Sequence, residues 1–201
     1  MNPSYKDKLN CERTVEIEFI CEMLNKYYKT EDVILDVGGV PSFTNFNAPI
    51  VELIKQKNMK YKICDFRGGE YKGDFVTYDF GAEKFNIIVF LSSLEHFPQC
   101  TEGDMKVRIK EDEKGFQKAL SILADDGIIL LTVPFGKQRW QKYHQNYNFN
   151  GILELSQGSR IIDSYVYKLI DDEWHIEKPE NMEDIIYTTK AYGVGCFSFR
   201  K

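Results

Sequence analysis

Residues 33 to 42 read VILDVGGVPS. Val33, Ile34 and Leu35 run into Asp36, and Gly38 and Gly39 follow, so the stretch reads as a short buried strand entering a tight turn. The turn begins like a G-x-G-x-x-G loop, the spacing that cradles a pyrophosphate at a helix N-terminus. Val40, Pro41 and Ser42 then stand where more glycine is wanted. Asp36 is also a poor neighbour for pyrophosphate and a good one for a cation. A ligand carrying a sulfonium or ammonium group suits this stretch better than a dinucleotide.

The flanking sequence supplies the layers such a strand needs. Upstream, residues 10 to 28 place Ile17, Ile20, Cys21, Leu24 and Tyr27 or Tyr28 three or four apart, with Glu12, Glu16, Glu18 and Glu22 between them, which predicts an amphipathic helix. Downstream, Ile50, Leu53 and Ile54 predict a second helix that Asn47 caps and Pro49 helps to start. MKYKICD (59–65), part of GEYKGDFVTYD (69–79) and the continuously apolar FNIIVFL (85–91) predict three further strands. Phe116, Ala119, Leu120 and Leu123 mark another helix, stopped by Asp125-Asp126-Gly127 ahead of the strand IILLTVPFG. RIIDSYVYKL and GVGCFSF complete seven strands. Strands alternating with helices predict a doubly wound α/β, Rossmann-like sheet, whose ligands bind outside the carboxyl ends of the strands.

The chain has 201 residues, 43% hydrophobic and 28% charged, with a formal net charge of −5. That length predicts one domain over 1–201, with an N-terminal helix over 1–30 and the Rossmann-like core over 31–201. The acidic balance argues against nucleic acid and for a small-molecule partner. Five scattered cysteines, Cys11, Cys21, Cys64, Cys100 and Cys196, read as free thiols of a cytoplasmic protein. No apolar run reaches the roughly 18 to 20 residues of a membrane span.

In order along the chain, these segments resemble class I S-adenosylmethionine-dependent methyltransferases. VILDVGGVPS is similar to their first motif, D-x-G-x-G-x-G, with Asp36 and Gly38 matching and Val40 and Ser42 departing from the later glycines. KGDFVTYDFGAEKFNIIVF resembles the third and fourth motifs, with Asn86 in place of the usual Asp, and ALSILADDGIILLTVPFG resembles the family's helix, turn and fifth strand. The resemblance implies S-adenosyl-L-methionine as cofactor, with S-adenosyl-L-homocysteine as product. It implies Asp36, Gly38, Gly39 and Ser42 around the cofactor's amino-acid end, with Thr44 and Asn45 as further donors. It implies Asp65 on the ribose hydroxyls, Asp74 on the adenine amino group with Asp79 as the alternative, and the Phe75 backbone on the ring.

SSLEHF follows the fourth strand and places Ser92, Ser93, Glu95 and His96 on the ligand side of the sheet. Ser92 is assigned to the cofactor and Glu95 to the substrate. His96 is the first candidate for a general base and His144 the second, since imidazole titrates near neutrality. Lys137, Arg139 and Tyr143, in an aromatic and basic stretch after the fifth strand, are assigned to the substrate. No metal is expected, because Ser92-Ser93 stands where quinone-pathway relatives place an additional glutamate. The expected acceptor is small and polar: an oxygen of a sugar-like or phosphorylated precursor of a bacterial surface glycan. N-methylation of a small metabolite and a catalytically inactive partner in a heteromeric methyltransferase are the alternatives. A nicotinamide dehydrogenase is disfavoured by Asp36 and the missing glycines.

Overall fold

The structure, a computed structural model, describes residues 11–39, 48–97, 105–140, 144–185 and 192–201. In chain order the elements are α1 (Arg13–Tyr27), β1 (Val33–Val37), α2 (Ala48–Gln56), β2 (Lys60–Asp65), β3 (Tyr71–Lys72) and β4 (Phe85–Leu91). A 3-10 turn over Leu94–His96 leads to α3 (Met105–Ile122), β5 (Leu123–Pro134), β6 (Arg139–Trp140), β7 (Gln145–Asn146) and α4 (Phe149–Leu155). The chain then runs through β8 (Arg160–Ile170), β9 (Glu173–Glu177) and β10 (Gly193–Arg200).

One sheet holds eight strands in the order β3-β2-β1-β4-β5-β10-β8-β9, and β6 and β7 form a separate two-stranded ribbon. β3, β2, β1, β4 and β5 are mutually parallel, while β10 runs antiparallel to both β5 and β8. After β1 the chain winds outward to β2 and β3, then returns to the other side of β1 for β4 and β5. The order therefore reverses between β1 and β4, the place where open α/β sheets bind ligands outside the carboxyl ends of their strands.

Both faces of the sheet are covered, which is why its central strands read as unbroken apolar runs. On one face Leu35, Val37, Ile88, Phe90, Leu131 and Val133 pack with Phe116, Ala119 and Leu120 of α3 and Ile152 and Leu155 of α4. On the other, Ile34, Ile87, Val89, Ile128 and Leu130 pack with Val15, Phe19, Ile20, Met23 and Leu24 of α1 and Ile50 of α2. Alternate residues of one strand feed opposite cores, as the period of two requires.

Two local readings, the strand count and the end of α3, are corrected. The seven expected strands are present, and β9 adds an eighth at the sheet edge. The acidic run IDDEW contains its hairpin: Ile170 pairs with Glu173, and Asp171 and Asp172 between them both take positive φ, 49° and 64°. Two residues with positive φ fit the twist of a tight hairpin, and Asp tolerates that region. Asp125-Asp126-Gly127 is an irregularity inside β5, which already pairs with β4 at Leu123. Asn148, in the aromatic and basic stretch after β5, accepts from the Gly151 backbone at 2.8 Å and so caps α4. Asp112, inside the charge run of α3, is 3% exposed and accepts from Tyr147 Oη at 2.6 Å. Burial pushes its carboxyl up to about 6, against the Tyr147 hydrogen bond.

Candidate active site

The first motif forms the turn at the reversal point. Gly38 has φ +82°, a conformation that favours glycine, and its N–H donates to Cys64 O at 2.9 Å, closing the turn against β2. A Cβ on Gly38 would sit 2.7 Å from Ser93 Cβ, and one on Gly39 would overlap the Asp36 carboxylate. Both glycines are therefore demanded by close approach. Asp36 is 4% exposed and accepts from Tyr61 Oη. Burial raises its carboxyl to about 6, opposed by the Tyr61 hydrogen bond and Arg13 and reinforced by Asp65. Asp36 thus lies beneath the turn as its brace, covered by Gly39. Ser42, Thr44 and Asn45 lie outside the described residues.

Asp65 ends β2 and is 8% exposed; its Oδ1 accepts from Arg67 N at 2.7 Å and Arg67 Nε at 3.2 Å. Phe66, the next residue, is 58% exposed although aromatic. Asp74 follows β3 and accepts from Val76 N at 2.9 Å, which orders a turn and holds Phe75 in an aromatic core with Phe80, Phe90 and Phe97. Asp79 is exposed and accepts from Gly81 N at 2.8 Å, so it caps a turn of its own. Asn86 sits at the opposite end of β4, where its Oδ1 accepts from Val33 N at 2.9 Å and ties the starts of β1 and β4 together. Its departure from the family motif therefore lies away from the carboxyl edge.

Beyond β4 the chain turns sharply. Ser92 has φ +44°, a strained value for serine, and is fixed on both sides. Its N–H donates to Thr132 Oγ1 at 3.0 Å, and its hydroxyl donates to Glu16 of α1. Arg13 Nη1 reaches Glu16 Oε2 and Leu91 O, both at 3.2 Å. The first turn of α1 is thereby clamped over the end of β4. Under it lies a cleft of about 70 Å³ lined by Glu12, Arg13, Glu16, Ser92, Glu95, His96, Pro134, His144 and Val194. That volume holds a few water-sized groups, which suits the reacting end of an acceptor.

The two histidines chosen from the sequence meet here, with ring centroids 6.2 Å apart in an edge-on arrangement. His144 is pushed down by burial and by His96. Glu95 is 2% exposed, with Oε1 3.7 Å from His96 Nε2. Burial raises it to about 7; His96 and Arg13 oppose the rise, and Glu16 adds to it. Ser93 is also buried, and its Oγ has no hydrogen-bond partner among the described residues. Lys137 is exposed, Arg139 belongs to β6, and Tyr143 lies outside the described residues.

Arg13, Glu16, Tyr61 and Phe66 were missed in the sequence. Glu16 had a legible signal: it shares a helix face with Ile20 and Met23, four and seven residues on, and at 1% exposure is buried with them. Tyr61 had none, since only the pairing of β1 with β2 brings it to Asp36, whereas Phe66 directly follows Asp65 in the chain.

No protein-family model and no curated protein matches the chain. Solved structures do. An S-adenosylmethionine-dependent methyltransferase from Clostridium acetobutylicum ATCC 824 aligns over 98% of this chain and 96% of its own, with 11% identity and a TM-score of 0.54. The CcbJ methyltransferase from Streptomyces caelestis aligns over 92% and 94%, with 9% identity and a TM-score of 0.55. The N-methyltransferase NodS from Bradyrhizobium japonicum WM9 aligns over 94% and 96%, with 12% identity and a TM-score of 0.58; another structure of it is a complex with S-adenosyl-L-homocysteine. The fold of this chain is the class I methyltransferase fold.

Proposed function

We propose that this protein is an enzyme that transfers a methyl group from S-adenosyl-L-methionine to a small polar acceptor. The observation that carries the reading is the carboxyl edge of the sheet, where a glycine turn braced by Asp36 closes against the end of β2 that carries Asp65 and Phe66, Asp74 follows β3, and a cleft lies under α1 at the end of β4. Those residues fit the cofactor. Asp65 offers a carboxylate to ribose hydroxyls, the exposed Phe66 offers a ring face to adenine, and Asp74 suits the adenine amino group. Gly38 and Gly39 let backbone approach closely, and Ser93 keeps a buried hydroxyl beside them. The edge carries carboxylates where a dinucleotide's pyrophosphate would repel them. When bound, the cofactor supplies an electrophilic methyl on a sulfonium. The chain orients the acceptor, excludes water and handles a proton at Glu95, His96 or His144.

The sequence pointed to an oxygen of a sugar-like or phosphorylated surface-glycan precursor, through Lys137, Arg139 and Tyr143. The cleft gives that phosphate no support: among the described residues its walls carry three glutamates, and the guanidinium of Arg13 is already engaged by Glu16 and Leu91 O. The structural neighbours include both O- and N-methyltransferases.

Calorimetry with S-adenosyl-L-homocysteine and NAD, followed by labelled-methyl transfer, tests the reading. S-adenosyl-L-homocysteine, the product, binds and NAD does not; binding of NAD alone would overturn the proposal. Tight cofactor binding without transfer to any acceptor would favour the inactive-partner alternative.

A further inference from the structure

The cleft is walled by carboxylates: Glu12 and Glu16 from the start of α1 and Glu95 from the turn after β4, with His96 and His144 beside them. Glu95 is the least accommodated of these. The residue lines the cleft but is only 2% exposed, and its Oε2 is buried with no hydrogen-bond partner among the described residues. A buried carboxylate oxygen left without a donor is costly, and a ligand that brings N–H donors removes that cost. A hydroxyl brings one donor. An ammonium brings up to three together with the opposite charge.

We propose that the acceptor methylated in this cleft is an amine, which enters as its ammonium, donates to Glu95 Oε2 and gives that carboxylate a proton before methyl transfer. The inference rests on the methyltransferase reading above. The step balances. An N–H bond breaks, its proton forms an O–H bond on Glu95, and the nitrogen lone pair attacks the methyl carbon of the methyl sulfonium. The carbon–sulfur electron pair stays on sulfur, which leaves as a neutral thioether, and the product is an N-methylammonium. The proton on Glu95 then passes to water; His96, with its side chain 34% exposed, stands beside it on the route outward. The groups facing Glu95 are Arg13 and Glu16 from α1 and Glu12 just before it, His96 on its own turn, and His144 and Tyr147 from the segment after β5. A carboxyl held near 7 exchanges a proton with an ammonium readily, whereas an unactivated alcohol lies far beyond its reach.

The test uses the whole chain and the Glu95→Gln and Glu95→Asp variants. Calorimetry with S-adenosyl-L-homocysteine comes first, and both variants are expected to bind it as the wild type does, which also establishes that they fold. Melting of that complex is then followed with ethylammonium chloride or ethanol, and labelled-methyl transfer is measured on matched pairs: glucosamine and glucose, ethanolamine and ethylene glycol. Ethylammonium is expected to raise the Tm of the wild type and not of Glu95→Gln, and label is expected on the amine of a pair. Glu95→Gln should turn over about 100-fold more slowly at pH 7 and recover as pH approaches the amine's own pKa, where the substrate arrives neutral. Glu95→Asp should keep part of the activity. With product binding intact, an equal response to ethanol, label on the alcohols alone, label on neither member of a pair, or normal turnover in Glu95→Gln overturns the amine proposal. Failure of the wild type to bind S-adenosyl-L-homocysteine overturns the methyltransferase reading and this inference together.

Discussion

Replacing Glu95 by glutamine removes an ionisable group that burial holds at about 7, against an ordinary glutamate value of 4.5. The folded-state value is raised, so Glu95 supports the fold at low pH, where it is protonated in both states. That support is lost as pH rises through about 7, because the folded protein must then either hold a buried charge or keep a proton that the unfolded chain releases freely. At about 1.36 kcal/mol per pK unit, the loss between pH 5 and pH 8 amounts to about 2 to 3 kcal/mol for this one side chain. Urea unfolding at pH 5, 6, 7 and 8 on both proteins measures it. Wild-type stability should fall relative to Glu95→Gln by that amount across the range, whatever offset the glutamine amide introduces. Contributions from Asp36, Asp112 and other groups common to both proteins cancel in the difference. Parallel profiles for the two proteins would refute the reasoning, since they would mean that Glu95 titrates alike in the folded and unfolded chain. A carboxylate that lowers stability at neutral pH has a use other than holding the fold, which agrees with a place in the chemistry of the cleft.

Gly39→Ala should weaken binding of S-adenosyl-L-homocysteine and cost about 1 to 3 kcal/mol of stability, because the added methyl overlaps the Asp36 carboxylate; calorimetry and thermal melting check both. Asp65→Ala should weaken that binding by about 1.5 to 3 kcal/mol through loss of a charged acceptor, and an unchanged affinity would move the ribose contact to another residue. Phe66→Ala should cost about 0.5 to 1.5 kcal/mol of the same binding with little change in Tm, since the ring is already exposed. Tyr147→Phe removes one of the hydrogen bonds that favour the charged form of Asp112, so about 1 to 3 kcal/mol of stability should be lost at pH 8 and much less at pH 5, below the Asp112 value of about 6. Urea midpoints at those two pH values decide the point.

The sequence by itself determined the sheet and the position of its carboxyl edge. Continuous apolar runs such as FNIIVFL can be satisfied only by strands covered on both faces, and the alternation of such runs with amphipathic helices admits few windings. VILDVGG marked the turn because strand, Asp and glycines are adjacent in the chain. SSLEHF marked Glu95 and His96 for the same reason: they follow a recognisable strand at its carboxyl end. Tertiary structure decided everything that depends on distant residues meeting. It put Glu16 of α1 onto the Ser92 hydroxyl, Tyr61 onto Asp36, and His144 within 6.2 Å of His96, and it buried Asp112 against Tyr147. It also separated the acidic residues by role, Asp36 beneath the turn, Asp79 in an exposed loop and Glu95 in the cleft. Local sequence gives a carboxylate its chemistry, but burial and neighbours set its charge and what it can touch, and those are properties of the assembled core.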